Sequence, residues 1–256
     1  MNIPDITAEQ IETFILVLLR VSAIIVTMPI FGAASTPGMV KAGLSLMIAF
    51  LLFPFVELQA PPPEILSLAV RMVGEIMIGI IIGFAGRLIF AGIQLAGQLV
   101  GFQMGFAIVN VFDPVSSSQV SILGQFQYLF AVLIFLAVDG HHIFLSALAE
   151  SYRIILPLDF HFSAQLAQAI AELAKSLFII AIKVGAPAIT VLLMIDIGFG
   201  LIARTVPQLN ILIVGFPVKI AVGLIGTGLI LPLVARMMGG IFLGFGGRLH
   251  DFLRLM

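Results

Sequence analysis

The sequence predicts an all-α, polytopic, membrane-associated bundle of long kinked helical hairpins. Of its 256 residues, 61% are hydrophobic and only 10% are charged. The mean hydropathy of +1.23 is higher than a soluble domain can carry. The apolar residues fall into runs that, as helices rising about 1.5 Å per residue, can cross a hydrocarbon core of roughly 30 Å.

Composition excludes several classes of function. The 12 basic and 13 acidic residues nearly cancel, and no basic cluster is interleaved with aromatic side chains, so we expect no nucleic-acid partner. Cysteine is absent, which removes disulfides, thiol nucleophiles and thiolate metal ligands. The N-terminus is acidic, unlike the basic start of a secretory signal, so the first apolar segment is expected to stay in the protein.

Turn and breaker residues divide the chain into seven predicted helical segments. In chain order these are Ile11–Phe31, Met39–Val56, a segment that starts near Ser67, Gln119–Val138, His141–Leu156, Ala164–Arg204 and Ile211–Arg236. Thr7 and Gln10 form a capping box before the first segment. The proline-rich linker Glu57–Glu64 separates the first hairpin from the third segment. Pro187 is expected to kink or break the sixth segment, and Met237–Met256 forms a glycine-rich, then amphipathic tail.

The third segment continues into the most unusual stretch of the sequence. From Leu88 to Phe112 it carries no charge, so it could span a bilayer as a helix. Three glycines nevertheless lie four residues apart, and glutamines recur among them. Glycines at this spacing let another helix approach closely, and buried amides find partners across such a contact. The predicted helix-packing groove comprises Gln94, Gly97, Gln98, Gly101, Gln103 and Gly105.

An apolar tip ends this helix, from Phe106 to Phe112, and Asp113-Pro114 and a serine run follow it. Proline moves the residue before it out of the helical region, and serine side chains cap the next helix. An apolar loop between membrane-length helices must be shielded by protein or line a cavity. This loop is the candidate for the working part of the protein. The alternative is an ordinary buried turn between two helices.

Charged residues interrupt segments that otherwise have the composition of buried membrane helices. They are Arg20, Glu75, Arg87, Lys183 and Asp196. A charge at mid-membrane costs about 2.5 to 3.5 kcal/mol on insertion scales, so each is expected to face protein or water. Arg71 and Glu75 lie one turn apart and are expected to pair. These charges form structural ion pairs or, alternatively, a proton or ion relay for which Asp196 is the candidate carboxylate.

No catalytic or metal-binding constellation is recognisable, so we expect no enzyme activity, no cofactor and no metal. His141 and His142 are adjacent, so their side chains are expected to point about 100° apart on a helix rather than to chelate an ion. They are expected to cap or anchor the fifth segment. Basic residues in short loops stay on the cytoplasmic side, so Arg248, Arg254 and Lys41 predict a cytoplasmic C-terminus and an outer N-terminus.

Six stretches carry a further signal through their order and spacing. They are Arg20 with Pro29–Gly32 and Pro37, Gly97–Phe106, Phe112–Pro114, Asp139–His142, Arg204–Asn210, and Gly215–Ile220. Together they resemble the FliR/SctT family, the export-gate subunits of type III secretion systems. The stretches extend from the first segment into the seventh, so the resemblance covers nearly the whole chain. It favours the flagellar branch, in which such proteins serve flagellar biosynthesis.

The resemblance implies a non-enzymatic subunit of a protein export gate. Such a subunit assembles with FliP and FliQ, meets FlhB at the cytoplasmic entrance and has FlhA as a further partner. Unfolded export substrates would pass through the gate. A FliP-like part, residues 1–160, would be followed by a FliQ-like part, residues 161–256. The implied location is the bacterial inner membrane at the flagellar basal body, in contact with lipid and with neighbouring subunits.

The resemblance also assigns roles to two loops. The apolar loop would plug the closed pore, with Asp113-Pro114 fixing the helix end and a seal made by Phe106, Ile108, Val109, Val111 and Phe112. A polar turn would lie near the cytoplasmic entrance, or would simply connect two helices with Asn210 as N-cap; it contains Arg204, Pro207, Gln208 and Asn210.

Two other functions fit part of the sequence. One is a secondary transporter built from broken helices, in which Asp196 and Lys183 couple ion movement to a small solute. The other is an assembly scaffold, which would share every feature except the plug.

Overall fold

A computed structural model describes residues 7–33, 35–56, 65–106, 121–156, 160–208 and 210–256. Within these residues the protein contains seven α-helices, one short 3-10 helix at Phe53–Phe55, and no strand. The α-helices are α1 (Ala8–Thr27), α2 (Gly38–Leu52), α3 (Ile65–Met104), α4 (Ile122–Ala137), α5 (Gly140–Ile154), α6 (Ala164–Thr205) and α7 (Ile211–Leu253). They correspond one to one with the seven predicted segments, so the all-α prediction is confirmed.

Membrane-length helices dominate the described residues. Five are long and apolar enough to cross a bilayer: α1, α2, α3, α6 and α7. The pair α4 and α5, separated by a short break, meets the same test together and brings the number to as many as six. The polytopic prediction is therefore confirmed.

Capping side chains define two of the helix starts. The amide of Gln10 donates to Thr7 Oγ1 at 3.3 Å, and the amide of Thr7 donates to Gln10 Oε1 at 3.1 Å, which completes the predicted capping box. At α4 the N-cap is Ser121, whose hydroxyl accepts from the amide of Gly124 at 3.2 Å. The serines that were expected to cap this helix lie outside the described residues.

One predicted helix end is wrong, and α6 is not broken at the proline where a kink or a break was predicted. Helix α6 continues through Pro187, and α7 continues through Pro217 and Pro232 into the stretch expected to be a separate tail. A proline removes one backbone hydrogen bond, a loss that packed membrane helices tolerate. In α7 the buried apolar positions also keep their helical spacing across the predicted boundary, at Met238, Phe242, Phe245, Leu249 and Phe252.

The chain divides into two compact units. The first contains the described residues of Met1–Leu88, Asp139–Leu173 and Gly244–Met256, and its core includes Leu16, Val21, Ile82 and Phe144. The second contains the described residues of Ile89–Val138 and Ala174–Leu243. Its core includes three buried rings, Phe90, Phe135 and Phe242, whose centroids lie 5.2 to 5.4 Å apart.

Candidate functional site

Helix α3 ends at a glycine. Gly105 follows the last helical residue with φ of 94°, a left-handed conformation that only glycine adopts without strain. A Cβ atom at this position would overlap the ring of Phe216 on α7, so both the backbone angle and the neighbouring ring require glycine. Two turns further along α7, Gly223 lies against the fully buried Met104. The end of α3 is therefore held at a fixed place beside α7.

Phe106, the first residue of the predicted plug, packs inward from this helix end. Its partly buried ring contacts a core cluster comprising Val100, Met104, Leu123 and Leu192. The other predicted plug residues lie outside the described part of the chain: Ile108, Val109, Val111, Phe112, Asp113 and Pro114. The structure therefore fixes where the predicted plug segment begins.

Two of the three predicted groove glycines, Gly97 and Gly101, face the start of α4. A Cβ atom on Gly97 would come within 2.6 Å of the Leu123 carbonyl oxygen and 2.8 Å of Gly124 Cα. A Cβ atom on Gly101 would lie 3.2 Å from Ser121 Oγ. Because these neighbours are backbone and a helix cap, they have little freedom to move aside. The two helix ends that flank residues 107–120 therefore lie backbone against backbone.

Helix α6 approaches the same stretch of α3 from another direction. A Cβ atom on Gly92 would lie 2.8 Å from the Leu177 carbonyl oxygen and 3.2 Å from Ile180. The uncharged part of α3 is thus in contact with α4, α6 and α7 of the same unit. A helix with these neighbours is packed against protein over much of its surface.

The groove glutamines differ in their surroundings. Gln94 and Gln103 are half-buried, whereas Gln98 is exposed and lays its alkyl chain against Gly124. The sequence analysis missed Gln127 on α4, which is buried and whose side-chain oxygen has no hydrogen-bond partner among the described residues. Its position one turn after Gly124, the α4 residue that contacts α3, was the available signal.

Arg20 and Glu75 form a fully buried ion pair between α1 and α3. Arg20 Nε donates to Glu75 Oε2 at 2.6 Å, and Nη2 donates to Oε1 at 3.0 Å. The guanidinium also donates to Ser151 Oγ at 3.1 Å and to the Ile155 carbonyl at 3.3 Å, and its carbon lies 4.2 Å from the centre of the Tyr152 ring. This cluster joins α1, α3 and the C-terminal part of α5.

The predicted pairing of Arg71 with Glu75 is wrong. Arg71 Nη1 instead donates to Glu12 Oε1 at 3.4 Å, in a half-buried contact with α1. Glu75 is taken by Arg20 because a bidentate, desolvated contact binds a carboxylate more strongly than an i, i+4 contact on one helix surface. Sequence spacing identified the local neighbour but could not reveal the side chain that α1 supplies, nor the roles of Ser151 and Tyr152.

The remaining predicted charges lie in less enclosed places. Asp196 on α6 pairs with Lys219 on α7. Lys183 and Arg87 are exposed and have no ion-pair partner within the part of the chain that the structure describes. The polar turn between α6 and α7 is exposed at Arg204, Pro207, Gln208 and Asn210. The carbonyl of Asn210 accepts from the amides of Ile213 and Val214, which belong to the first turn of α7.

The two adjacent histidines turn toward each other. Their ring centroids are 4.2 Å apart, so the expected divergence is wrong. One carboxylate oxygen of Asp139 lies close to a nitrogen of each ring. These three possible metal-ligand atoms are within 4.8 Å of one another.

Known proteins resemble this chain along most of its length. A model of the bacterial export proteins, family 1, matches residues 11–245. Flagellar biosynthetic protein FliR of Bacillus subtilis (strain 168) is 36% identical over 225 residues, which is 85% of each chain. FliR of Pectobacterium carotovorum subsp. carotovorum is 33% identical over 91% of this chain and 89% of the relative. FliR of Escherichia coli (strain K12) is 31% identical over 93% of each.

Proposed function

Because the chain belongs to the bacterial export proteins, family 1, the family of flagellar biosynthetic protein FliR, we propose that it forms part of the gate for unfolded flagellar export substrates. It is a component of the flagellar export apparatus and a multi-pass membrane protein. The bacterial inner membrane at the flagellar basal body is its proposed site. Its role in the gate is structural, and the energy for export comes from elsewhere.

The feature that carries the gate proposal is the glycine contact at the end of α3. Gly97 and Gly101 hold the start of α4 against α3, so the helix ends on either side of residues 107–120 lie together. Phe106 extends this contact into a buried apolar cluster. Large apolar side chains in a narrow lumen expel water and block ions. Connections between helices also open at lower free energy than packed helices do, so such a seal can yield to a substrate.

Partner subunits are proposed from the helix faces that the described residues leave uncovered. In the most hydrophobic membrane-length stretch of α6, only 28% is buried by the described residues. In the corresponding stretch of α7, only 11% is buried. Lipid or neighbouring apolar helices must cover such faces. We propose that FliP and FliQ cover part of them, with FlhB and FlhA as further partners. On this proposal, residues 1–160 take the place of a FliP-like subunit and residues 161–256 that of a FliQ-like subunit.

The competing transporter function has less support. An ion-coupling carboxylate must exchange its ion during transport, whereas Asp196 is paired with Lys219. Lys183, the other residue proposed for coupling, is exposed. The ion pair between Asp196 and Lys219 instead joins α6 to α7 as a structural contact.

Ion leakage through the assembled gate tests the plug. We expect the triple change Phe106→Ala, Ile108→Ala and Phe112→Ala to raise the ion conductance of the closed gate, because it removes most of the apolar volume of the proposed seal. The measurement is the ion flux of vesicles or of cells containing the assembled complex.

A matched control removes the same kinds of side chain elsewhere. Phe50, Leu51 and Phe55 are 72%, 61% and 83% exposed, so their triple alanine variant should leave conductance unchanged. Unchanged conductance of the plug variant in a correctly assembled complex would rule out the seal, and the scaffold function would then fit better.

A further inference from the structure

The turn that opens α5 brings together three side chains that commonly bind metals. Asp139 is the residue before the helix, and His141 and His142 lie in its first turn. Asp139 and His142 are exposed, whereas His141 is half-buried. Two of the four histidines in the chain therefore lie in one turn beside a carboxylate.

The donor atoms of these side chains lie within reach of one ion. One nitrogen from each imidazole and one carboxylate oxygen are all within 4.8 Å of one another. Two ligands of a tetrahedral zinc site, with metal–ligand bonds of about 2.0 to 2.2 Å, lie about 3.4 Å apart. The separations of up to 4.8 Å between the ligand atoms exceed this spacing. Rotation of the exposed Asp139 and His142 side chains would shorten them, while the half-buried His141 stays in place.

The described residues provide no polar partner for these three side chains. Among the described residues none of them forms a hydrogen bond or an ion pair. An aspartate at an N-cap normally accepts a hydrogen bond from an amide of the first helical turn, yet Asp139 makes no such bond. The Nδ1 atom of His141 is buried without a partner. A buried polar atom of this kind ordinarily has a partner, in the protein or bound to it.

His141 also borders an apolar cavity. It has a volume of about 70 Å³ and is lined by apolar side chains of α1, α2 and α5, including Ile25, Leu44 and Phe144. These neighbours offer no hydrogen-bonding group to His141. A polar partner for its ring must therefore come from outside this cavity, and Asp139 and His142 offer ligand atoms there.

We propose that Asp139, His141 and His142 bind one divalent transition-metal ion, of which Zn²⁺ is the representative. Imidazole nitrogen favours zinc, copper and nickel over magnesium and calcium, and one carboxylate completes a common three-ligand set. A remaining position is left for water or a fourth ligand. The bound ion joins the N-cap residue to the first turn of α5 and is independent of the export function.

Zinc titration of the purified full-length chain tests this site. The chain, stripped with a chelator in detergent, should bind one Zn²⁺ per molecule by calorimetry, and Co²⁺ should give the visible absorption of a nitrogen- and oxygen-liganded ion. We expect His142→Ala to weaken binding by more than about 100-fold, since loss of even an outer-shell partner costs 10- to 100-fold. Asp139→Asn should also weaken binding, and asparagine tolerates the left-handed backbone angle of 54° at this position.

The chain offers two matched controls, His161→Ala and His250→Ala, which remove the remaining histidines. Both should bind zinc as the unmodified chain does. The site is refuted if the unmodified chain binds no stoichiometric zinc, or if His142→Ala and Asp139→Asn leave affinity unchanged. It is equally refuted if His250→Ala abolishes binding, because the ion would then lie at His250 and Glu150, which are in contact. Circular dichroism of each variant shows whether a loss of binding comes from unfolding, and Asp139→Asn decides the question if His142→Ala unfolds.

Discussion

Arg20 has no contact with water, so the protein must satisfy every donor of its guanidinium. Of its five N–H donors, Glu75 takes two, and Ser151 and the Ile155 carbonyl take one each. A buried ion pair with this many hydrogen bonds contributes little net stability compared with apolar residues of similar volume, but loss of one partner is costly. The cluster therefore makes α1, α3 and α5 depend on one another.

Removing the carboxylate should show this dependence. We expect Glu75→Leu to destabilise the protein by about 3 to 5 kcal/mol, because Arg20 is left as an unpaired buried charge. Adding Arg20→Met to that variant should restore much of the loss. The measurement is denaturant unfolding of the purified protein in detergent. Arg71→Met is the control: it breaks the half-buried contact with Glu12 and should cost no more than about 1 kcal/mol. Equal losses for Glu75→Leu and Arg71→Met would contradict this account.

The sequence alone indicated that Arg20 and Glu75 must be ion-paired or hydrated, because burying an unpaired charge in an apolar segment costs free energy. It could not supply their partners, since those lie 55 to 135 residues away in the chain. The two histidines illustrate the same limit. Helix periodicity predicted that they diverge, but periodicity describes Cβ directions and leaves side-chain rotation undetermined.

At the scale of elements, the contact of α3 with α4 depends on the absence of side chains. We expect Gly97→Ala to disrupt it, because the added methyl group would meet the Leu123 carbonyl at 2.6 Å and the backbone of a capped helix cannot yield cheaply. The variant should show reduced thermal stability and a smaller yield of assembled complex. Size-exclusion profiles and thermal unfolding curves measure both.

Gly228→Ala on α7 provides the control for this substitution. A Cβ atom there meets nothing within 4 Å, so the change should be neutral or slightly stabilising, since alanine favours helix by up to about 1 kcal/mol. If the two alanine variants behave alike, close backbone approach is not what holds α3 against α4.

Helix existence was predictable because each segment carries a long apolar run, and helix ends were predictable where a cap was present, as at Thr7. Helix continuity was not. Proline predicted a kink or break within α6, and the glycine-rich stretch predicted that α7 ends at Arg236, but these residue types report only the local free-energy cost of continuing a helix. The buried series from Met238 to Phe252 shows that packing along a continuous face outweighed that cost.

The whole molecule exposes more apolar surface than a self-contained domain does. Large side chains such as Leu229, Ile213 and Phe178 are 77%, 71% and 62% exposed. We expect the chain, expressed alone and solubilised in detergent, to be folded but to form a mixture of oligomeric species instead of one defined particle. Expressed with FliP and FliQ from the same source, it should be recovered in one large complex that holds a single copy. Native mass spectrometry measures the composition.

A stable, monodisperse monomer that does not bind FliP and FliQ would contradict the gate function and favour the transporter.

The order of short stretches along the sequence was sufficient to predict the family, because these stretches are spread along the chain from α1 to α7. The shape of the proposed plug could not be predicted from the sequence, because a seal of this kind would require side chains that converge from a complete assembly.

Helices α3, α6 and α7 contain 40, 42 and 43 residues. At about 1.5 Å per residue each extends roughly 60 Å, twice the thickness of a hydrocarbon core. A newly made copy without its neighbours therefore cannot shelter all of this apolar length in lipid. Surplus copies should be recognised as unassembled and degraded, so the cell is expected to match synthesis of this chain to that of its partners.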